Sequence, residues 1–334
     1  MKRFIKKSIL FIIPVLSIFI CMEFLLRDIP NDYKFKKEFL DKNSQNIEIL
    51  CLGSSHANYG INPVYFSKNS FNGSHTSQSV DYDLKILNKY QGRLDNLKYI
   101  LIPISYFTLY SKLDRGIESW RVKNYPLYYN IQSYNIKDYS EVLSINTGTN
   151  ARRIYSYYIK KNEEITTSEL GYGTSHSSKN QQDLIKSGIE AAKRHTTKKD
   201  DTLFNENIEN LKSIIQLAQQ NKSIVIFFTP PAYYTYSENL NPNQLEKTVN
   251  TINKIAKEYD NTLYINYMHD KRFHKSDFFD ADHLNEIGAE KLTKLLNNLI
   301  NNIEKYGLYN NSILYGDSAA PNLQRDLSLL SWRQ

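Results

Sequence analysis

Residues 97–104 read Leu-Lys-Tyr-Ile-Leu-Ile-Pro-Ile, an apolar run with a single charge and no alternation. A strand of that kind must be covered on both faces, the habit of parallel sheets flanked by helices. The rest of the chain repeats the theme. Residues 46–52 read as a short buried strand that breaks at Gly53. Residues 70–72, 223–229 and 262–267 read as further strands, the second of these runs stopping at Pro230-Pro231. Between them lie segments of helical apolar spacing: 79–90 through Val80, Leu84 and Leu87, 204–220 through Ile208, Leu211, Ile214, Ile215 and Leu217, then 243–259. Residues 284–306 close the series through Leu292, Leu295, Leu296, Leu299, Ile300 and Ile303. This alternation predicts an α/β fold, a parallel sheet with helices on both faces. In such folds chemistry sits at the carboxyl ends of the strands.

The pattern loosens over residues 105–200, which are rich in Tyr, Ser, Asn and Lys. This stretch reads as an insertion or cap, with helix near 151–159 and 181–194. The chain has 334 residues, 41% hydrophobic and 23% charged, with only twelve glycines and nine prolines, so a large core is available and long linkers are not expected. The expected layout is a basic stub and anchor at 1–30, the main domain at 45–306 with its insertion at 105–200, and a tail at 307–334. Gly316-Asp317-Ser318 in the tail looks like a nucleophile motif, but no buried strand precedes it.

At the N-terminus, Lys2, Arg3, Lys6 and Lys7 precede an apolar run over 9–26, interrupted by Ser17 and Glu23. Its length approaches that of a membrane span. Basic residues ahead of it predict a cytoplasmic N-terminus and an extracytoplasmic domain, single-pass in the cytoplasmic membrane. A cleaved signal peptide is the competing reading, but no small-residue cleavage site follows, since Arg27-Asp28-Ile29-Pro30 comes next. The two cysteines, Cys21 in this run and Cys51 in a buried strand, exclude an internal disulfide framework and a cysteine zinc site. The net charge is +7 without a dense Lys/Arg block, so no nucleic-acid partner is expected.

Two short segments carry candidate chemistry. Gly53-Ser54-Ser55-His56 follows the first strand, and its glycine permits a tight turn that exposes a serine. It is not the G-x-S-x-G elbow, because residue 57 is alanine. A serine-rich turn capping a helix would look the same. Asp280-Ala281-Asp282-His283 follows the last strand. Asp282 reads as an acidic N-cap of the next helix; His283 reads as a general base oriented by Asp280. His56 and His75 read as substrate-facing or hydrogen-bonded structural residues. His269, Asp270, His274 and Asp277 match no standard metal spacing, and neither metal nor cofactor is expected. Among the twenty-six tyrosines, most suit a core or surface role. The Tyr233–Tyr236 loop, at a strand's carboxyl end, is the candidate for stacking on sugar.

On these residues the chain resembles the SGNH (GDSL-like) hydrolase superfamily. Gly53-Ser54-Ser55 resembles its first block, whose third position is the nucleophile, and Asp280-x-x-His283 its last. It looks most similar to a membrane-anchored branch that modifies bacterial envelope polymers, including alginate O-acetylation proteins and the D-alanyl transfer protein of lipoteichoic acid synthesis. The resemblance covers residues 45–105 and 205–305. It implies a three-layer α/β/α, flavodoxin-like fold, with Ser55, His283 and Asp280 as catalytic residues. Asn72 and Ser77 stand where the second block has Asn and Gly, so an amide near Ser77 would serve the oxyanion hole. Ser105 stands where the third block's Gly-x-Asn is missing. The implied function is acyl transfer, as O-acetylation of an envelope polysaccharide, or ester hydrolysis. The implied partners are the polysaccharide acceptor and a multi-spanning membrane O-acyltransferase that delivers the acyl donor. The alternative is a weakly active or inactive accessory protein that binds polymer or that membrane partner. A secreted lipase or peptidase fits the anchor less well.

Overall fold

The computed structural model describes residues 1–197 and 201–308; the expected tail, with Gly316-Asp317-Ser318, falls almost wholly outside them. In chain order the elements are α1 (Lys2–Asp28), α2 (Asp32–Asn43), β1 (Ile49–Cys51), α3 (Ser55–Asn58), β2 (Ser70–Asn72), α4 (Val80–Tyr90) and β3 (Tyr99–Pro103). Then come α5 (Glu141–Ser144), α6 (Thr147–Ile154), α7 (Leu184–His195), α8 (Asp201–Gln220), β4 (Ile224–Thr229), α9 (Tyr234–Ser237), α10 (Pro242–Glu258), β5 (Thr262–Asn266) and α11 (Glu286–Tyr306).

All five strands are parallel, in the order β2-β1-β3-β4-β5. That order is flavodoxin-like, with its switch point between β1 and β3. Strand residues alternate between faces. Leu50, Ile100, Ile102, Val225 and Phe227 pack with α2, α4, α8 and α10 on one side. Ile49, Cys51, Leu101, Ile226 and Phe228 pack with Leu292, Leu296, Leu299 and Ile300 of α11 on the other. The result is a three-layer α/β/α domain. β1 is shorter than its apolar run suggested, because the chain leaves the sheet as it turns at Gly53.

Between β3 and α8 the chain is mostly single turns, with α5, α6 and α7 as its α-helices. Its tyrosines are largely structural. Tyr125 and Tyr129 are fully buried, Tyr125 stacks on Tyr82 with ring centroids 3.9 Å apart, and Tyr33 stacks on His75 at 3.8 Å. His75 is buried, its Nε2 2.9 Å from the Tyr129 hydroxyl, so it belongs to this core.

α1 stands apart. Within it, Arg3–Asp28 is long and apolar enough to cross a membrane, and most of its large side chains, such as Phe11 and Ile18, are exposed.

Candidate active site

The chain leaves β1 through Gly53, whose φ is +118°, and a Cβ there would sit 2.7 Å from Pro103 Cδ. Only glycine fits. The Gly53 N–H donates to Asp83 Oδ1 at 2.8 Å, which pins the turn to α4. Burial raises the Asp83 carboxyl to about 7, against the hydrogen bonds from Gln78 and Gly53. Ser54 is extended and Ser55 opens the single turn of α3, so Ser55 stands clear of the strand end.

The second segment arrives from the far side of the sheet, after β5. Ser55 Oγ and His283 Nε2 are 2.8 Å apart. His283 Nδ1 lies 3.0 Å and 3.1 Å from the two Asp280 oxygens. Asp280 Oδ1 also accepts the backbone N–H groups of His283, at 2.8 Å, and Asp282, at 3.0 Å. One carboxylate therefore holds both the ring and the main chain of the histidine. Because it only accepts, Nδ1 carries the hydrogen, and the neutral ring presents a bare Nε2 to the Ser55 hydroxyl. The three residues named from the sequence meet at the carboxyl rim of the sheet.

Asp282 does not cap the last helix. Asn285 does, accepting from the N–H groups of Ile287 and Gly288. Asp282 is 3% exposed and lies among three imidazoles: His283 Nδ1 at 3.6 Å, His56 Nε2 at 3.6 Å and His195 Nδ1 at 3.7 Å. Burial alone would raise its carboxyl, but His283, His56 and His195 outweigh burial and hold it well below the usual range. Burial opposes charge on His283 too, yet Asp280 and Asp282 overcome it and lift the imidazole to about 9. Burial depresses His56 and takes His195 and His176 down to about 3. Charge in the cluster is thus focused on His283 and its two carboxylates.

The remaining sequence candidates fall in different places. Ser77 lines the cavity in front of Ser55 and has φ +62°, a left-handed conformation that suits glycine. Neither the Ser55 nor the Ser77 N–H donates to a backbone acceptor among the described residues. Asn72 does not reach the cavity. Its Nδ2 donates to the Ala57 and Ile61 carbonyls at 2.8 Å, and its Oδ1 accepts from Ser74, so it stitches β2 to the turn after α3. Ser105 is buried, with its Oγ 2.5 Å from His56 Nδ1, so it supports His56 and leaves no side-chain donor in the third-block position. His56 is likewise buried behind His283, with ring centroids 4.7 Å apart. Tyr233 is absent from the cavity wall. Its ring packs beside Tyr234 and Phe278, because its N–H donates to the Ala281 carbonyl and turns the loop away.

His176 and His195 are cavity-lining residues that the sequence reading did not single out. His176 stacks on Phe279 with ring centroids 4.1 Å apart and sits 5.1 Å from the His283 ring. His195 Nδ1 is 3.0 Å from the Tyr236 hydroxyl. Both come from the loosely patterned 105–200 stretch, where no periodicity marks a site. The cavity has a volume of about 760 Å³ and includes Ser55, Ser77, Phe107, Lys112, Arg121 and Arg194 in its wall. As a metal site, His56, Asp282 and His283 offer ligand atoms within 4.8 Å of one another. A cation there would have to draw His283 Nδ1 away from Asp280. The His274 and Asp277 pair is structural: the His274 N–H donates to Asp277 Oδ2 at 2.7 Å, and Lys291 also donates to it.

No protein-family model matches the chain, and no curated protein does. Solved structures do. A protein provisionally described as a platelet activating factor from Streptococcus pneumoniae is similar at 14% identity and TM-score 0.41, over 88% of this chain and 99% of that one. A provisionally described acylhydrolase from Bacteroides fragilis is similar at 11% identity and TM-score 0.38, over 79% and 94%. A GDSL-like lipase from Bacteroides thetaiotaomicron is similar at 12% identity and TM-score 0.38, over 82% and 98%.

Proposed function

We propose that this chain is an SGNH-like serine acyltransferase or esterase, anchored by α1 in the cytoplasmic membrane. It acts outside that membrane on an envelope polysaccharide. The observation that carries the chemistry is the Ser55–His283–Asp280 line, with contacts of 2.8 Å and 3.0 Å. The substrate class rests on the anchor and on the motif resemblance. Ser55 Oγ attacks the acyl carbonyl carbon and His283 Nε2 takes the hydroxyl proton. The N–H groups of Ser55 and Ser77 hold the oxyanion. Collapse expels the donor's alcohol or thiol, which leaves with the proton from His283, and the acyl group stays on Ser55 as an ester. A sugar hydroxyl then gives its proton to His283 and attacks that ester; with water instead, the outcome is hydrolysis. O-acetylation is the expected transfer, with a multi-spanning membrane O-acyltransferase bringing the donor to the outer face.

A fluorophosphonate probe tests the nucleophile. Ser55 in the full chain should be labelled, and both Ser55→Ala and His283→Ala should lose labelling and acetyl-ester turnover by at least a thousandfold while remaining folded. A wild-type chain that resists the probe would favour the accessory reading, which the lack of a side-chain oxyanion donor at Ser105 also supports.

A further inference from the structure

α1 is apolar from Ser8 to Met22, between Lys7 and Glu23. At 1.5 Å per residue that is roughly 22 Å, short of the ~30 Å hydrocarbon core. Glu23 would lie at the depth of the outer leaflet, and the fold prepares it for that. Its carboxylate accepts from Ser140 Oγ at 2.8 Å, from the Val142 and Glu141 N–H groups at 3.0 Å and 3.1 Å, and from Arg27 Nε at 2.6 Å. Leu26, Ile29 and Val142 form a buried cluster with Met22, Ile154, Tyr157 and Tyr158 around them. Tyr158 donates to the Leu25 carbonyl at 3.0 Å, and Arg27 Nη2 donates to the Tyr139 carbonyl at 2.6 Å. The segment around α5 and α6 is therefore fixed to the last two turns of α1.

That same segment exposes an unusual amount of apolar surface: Tyr134 at 111%, Ile136 at 81%, Ile159 at 66%, Leu143 at 60%, Tyr155 at 53% and Tyr139 at 43%. Lys137, Arg152 and Lys160 are exposed among them. Tyrosines and aliphatic side chains with interspersed cations are the composition of a membrane-interface belt. We infer that residues 134–159 form a collar that sinks into the headgroup region of the bilayer around α1 and surrounds its outer end, where Glu23 interrupts the apolar run. The domain is then seated on the membrane, not hung from a tether. This rests on the reading of α1 as a span. The collar also touches the cavity wall: residues 119–123 pack against residues 136–139, and Lys123 pairs with Glu141. The cavity is held close to the lipid surface, where a membrane-borne acyl donor arrives.

Single tryptophans read depth. Ile12→Trp in α1, Ile136→Trp and Leu143→Trp in the collar, and Ile287→Trp on α11 are each placed in the full chain and reconstituted in phosphatidylcholine–phosphatidylglycerol vesicles containing brominated lipid. The signal is quenching in excess of the parent chain. The expected result is at least threefold more quenching at 12, 136 and 143 than at 287. Quenching at 12, with 136 and 143 no stronger than 287, overturns the collar and leaves the anchor standing. If 12 is also unquenched, the span and the collar both fall. Two collar positions on separate turns guard against one substitution distorting its surroundings.

Discussion

In the proposed reaction His283 is the residue on which rate depends, and its protonation is set by two neighbours, Asp280 and Asp282. It can take the Ser55 proton only when neutral, and Asp280 and Asp282 together lift it to about 9 against burial. At pH 7 only about one molecule in a hundred then holds a neutral base. Fluorophosphonate labelling of Ser55 should therefore rise about tenfold per pH unit from neutrality and level off near pH 9. Asp282→Asn removes one of the two anions while keeping an acceptor beside His56 and His195. Its ascending limb should shift toward neutral pH, and its labelling rate at pH 7 should exceed that of the wild type several-fold. A limb that stays in place, measured over pH 6–10, would mean that Asp282 does not set the charge on His283.

At the scale of elements, the strands and long helices were legible because burial imposes a period, and so were Gly53-Ser54-Ser55 and Asp280-x-x-His283, which flank strands in an alternating chain. What stayed hidden depends on contacts distant in sequence. Nothing local distinguishes Asp282 as a hub for three imidazoles from Asp282 as a cap, and Asn285, two residues before Ile287, takes the cap instead. Lys36 is the clearest case. A lysine on an amphipathic helix reads as solvated, yet it is 0% exposed. Its Nζ donates to Asn58 Oδ1 at 2.8 Å and to the Ser74 carbonyl at 2.6 Å, so α2 clamps the end of the turn that carries Ser55 and the loop that carries Ser77. Burial lowers this amine to about 7. Its unfolded value is near 10.5, so between pH 7 and 10.5 the unfolded chain binds the extra proton and stability rises with pH through that window. Lys36→Met should abolish that rise and cost about 1–3 kcal/mol at neutral pH, since two buried acceptors lose their donor. Denaturant unfolding of both chains at pH 7 and 9.5 checks it, and equal pH slopes would rule out the clamp as the titrating group.

At the scale of the whole molecule, one carboxylate inside the loosely read 105–200 stretch joins three regions of the structure. Glu141 is 0% exposed. It pairs with Lys123 behind the cavity wall, accepts from Arg153 Nη1 at 2.8 Å, and takes the Tyr128 hydroxyl at 2.7 Å. Its own N–H donates to Glu23 of α1. α1, the α5–α6 segment and the cavity wall thus share one ionic seam. The two cations differ in what they lose if the carboxylate goes. Arg153 retains Glu164, 3.1 Å from its Nη2, and is part-exposed, whereas Lys123, at 2% side-chain exposure, would be a buried charge without a partner. Removing one member of a buried pair costs about 3–5 kcal/mol, mostly through the stranded partner. Glu141→Ala should therefore lower the thermal midpoint of the full chain in detergent by several degrees. Adding Lys123→Met should restore much of the loss, because an apolar side chain of similar length needs no counter-ion. If the double variant were no more stable than Glu141→Ala, the stranded Lys123 charge would not be the source of the loss, and the seam would hold the molecule together through Arg153 and Tyr128 alone.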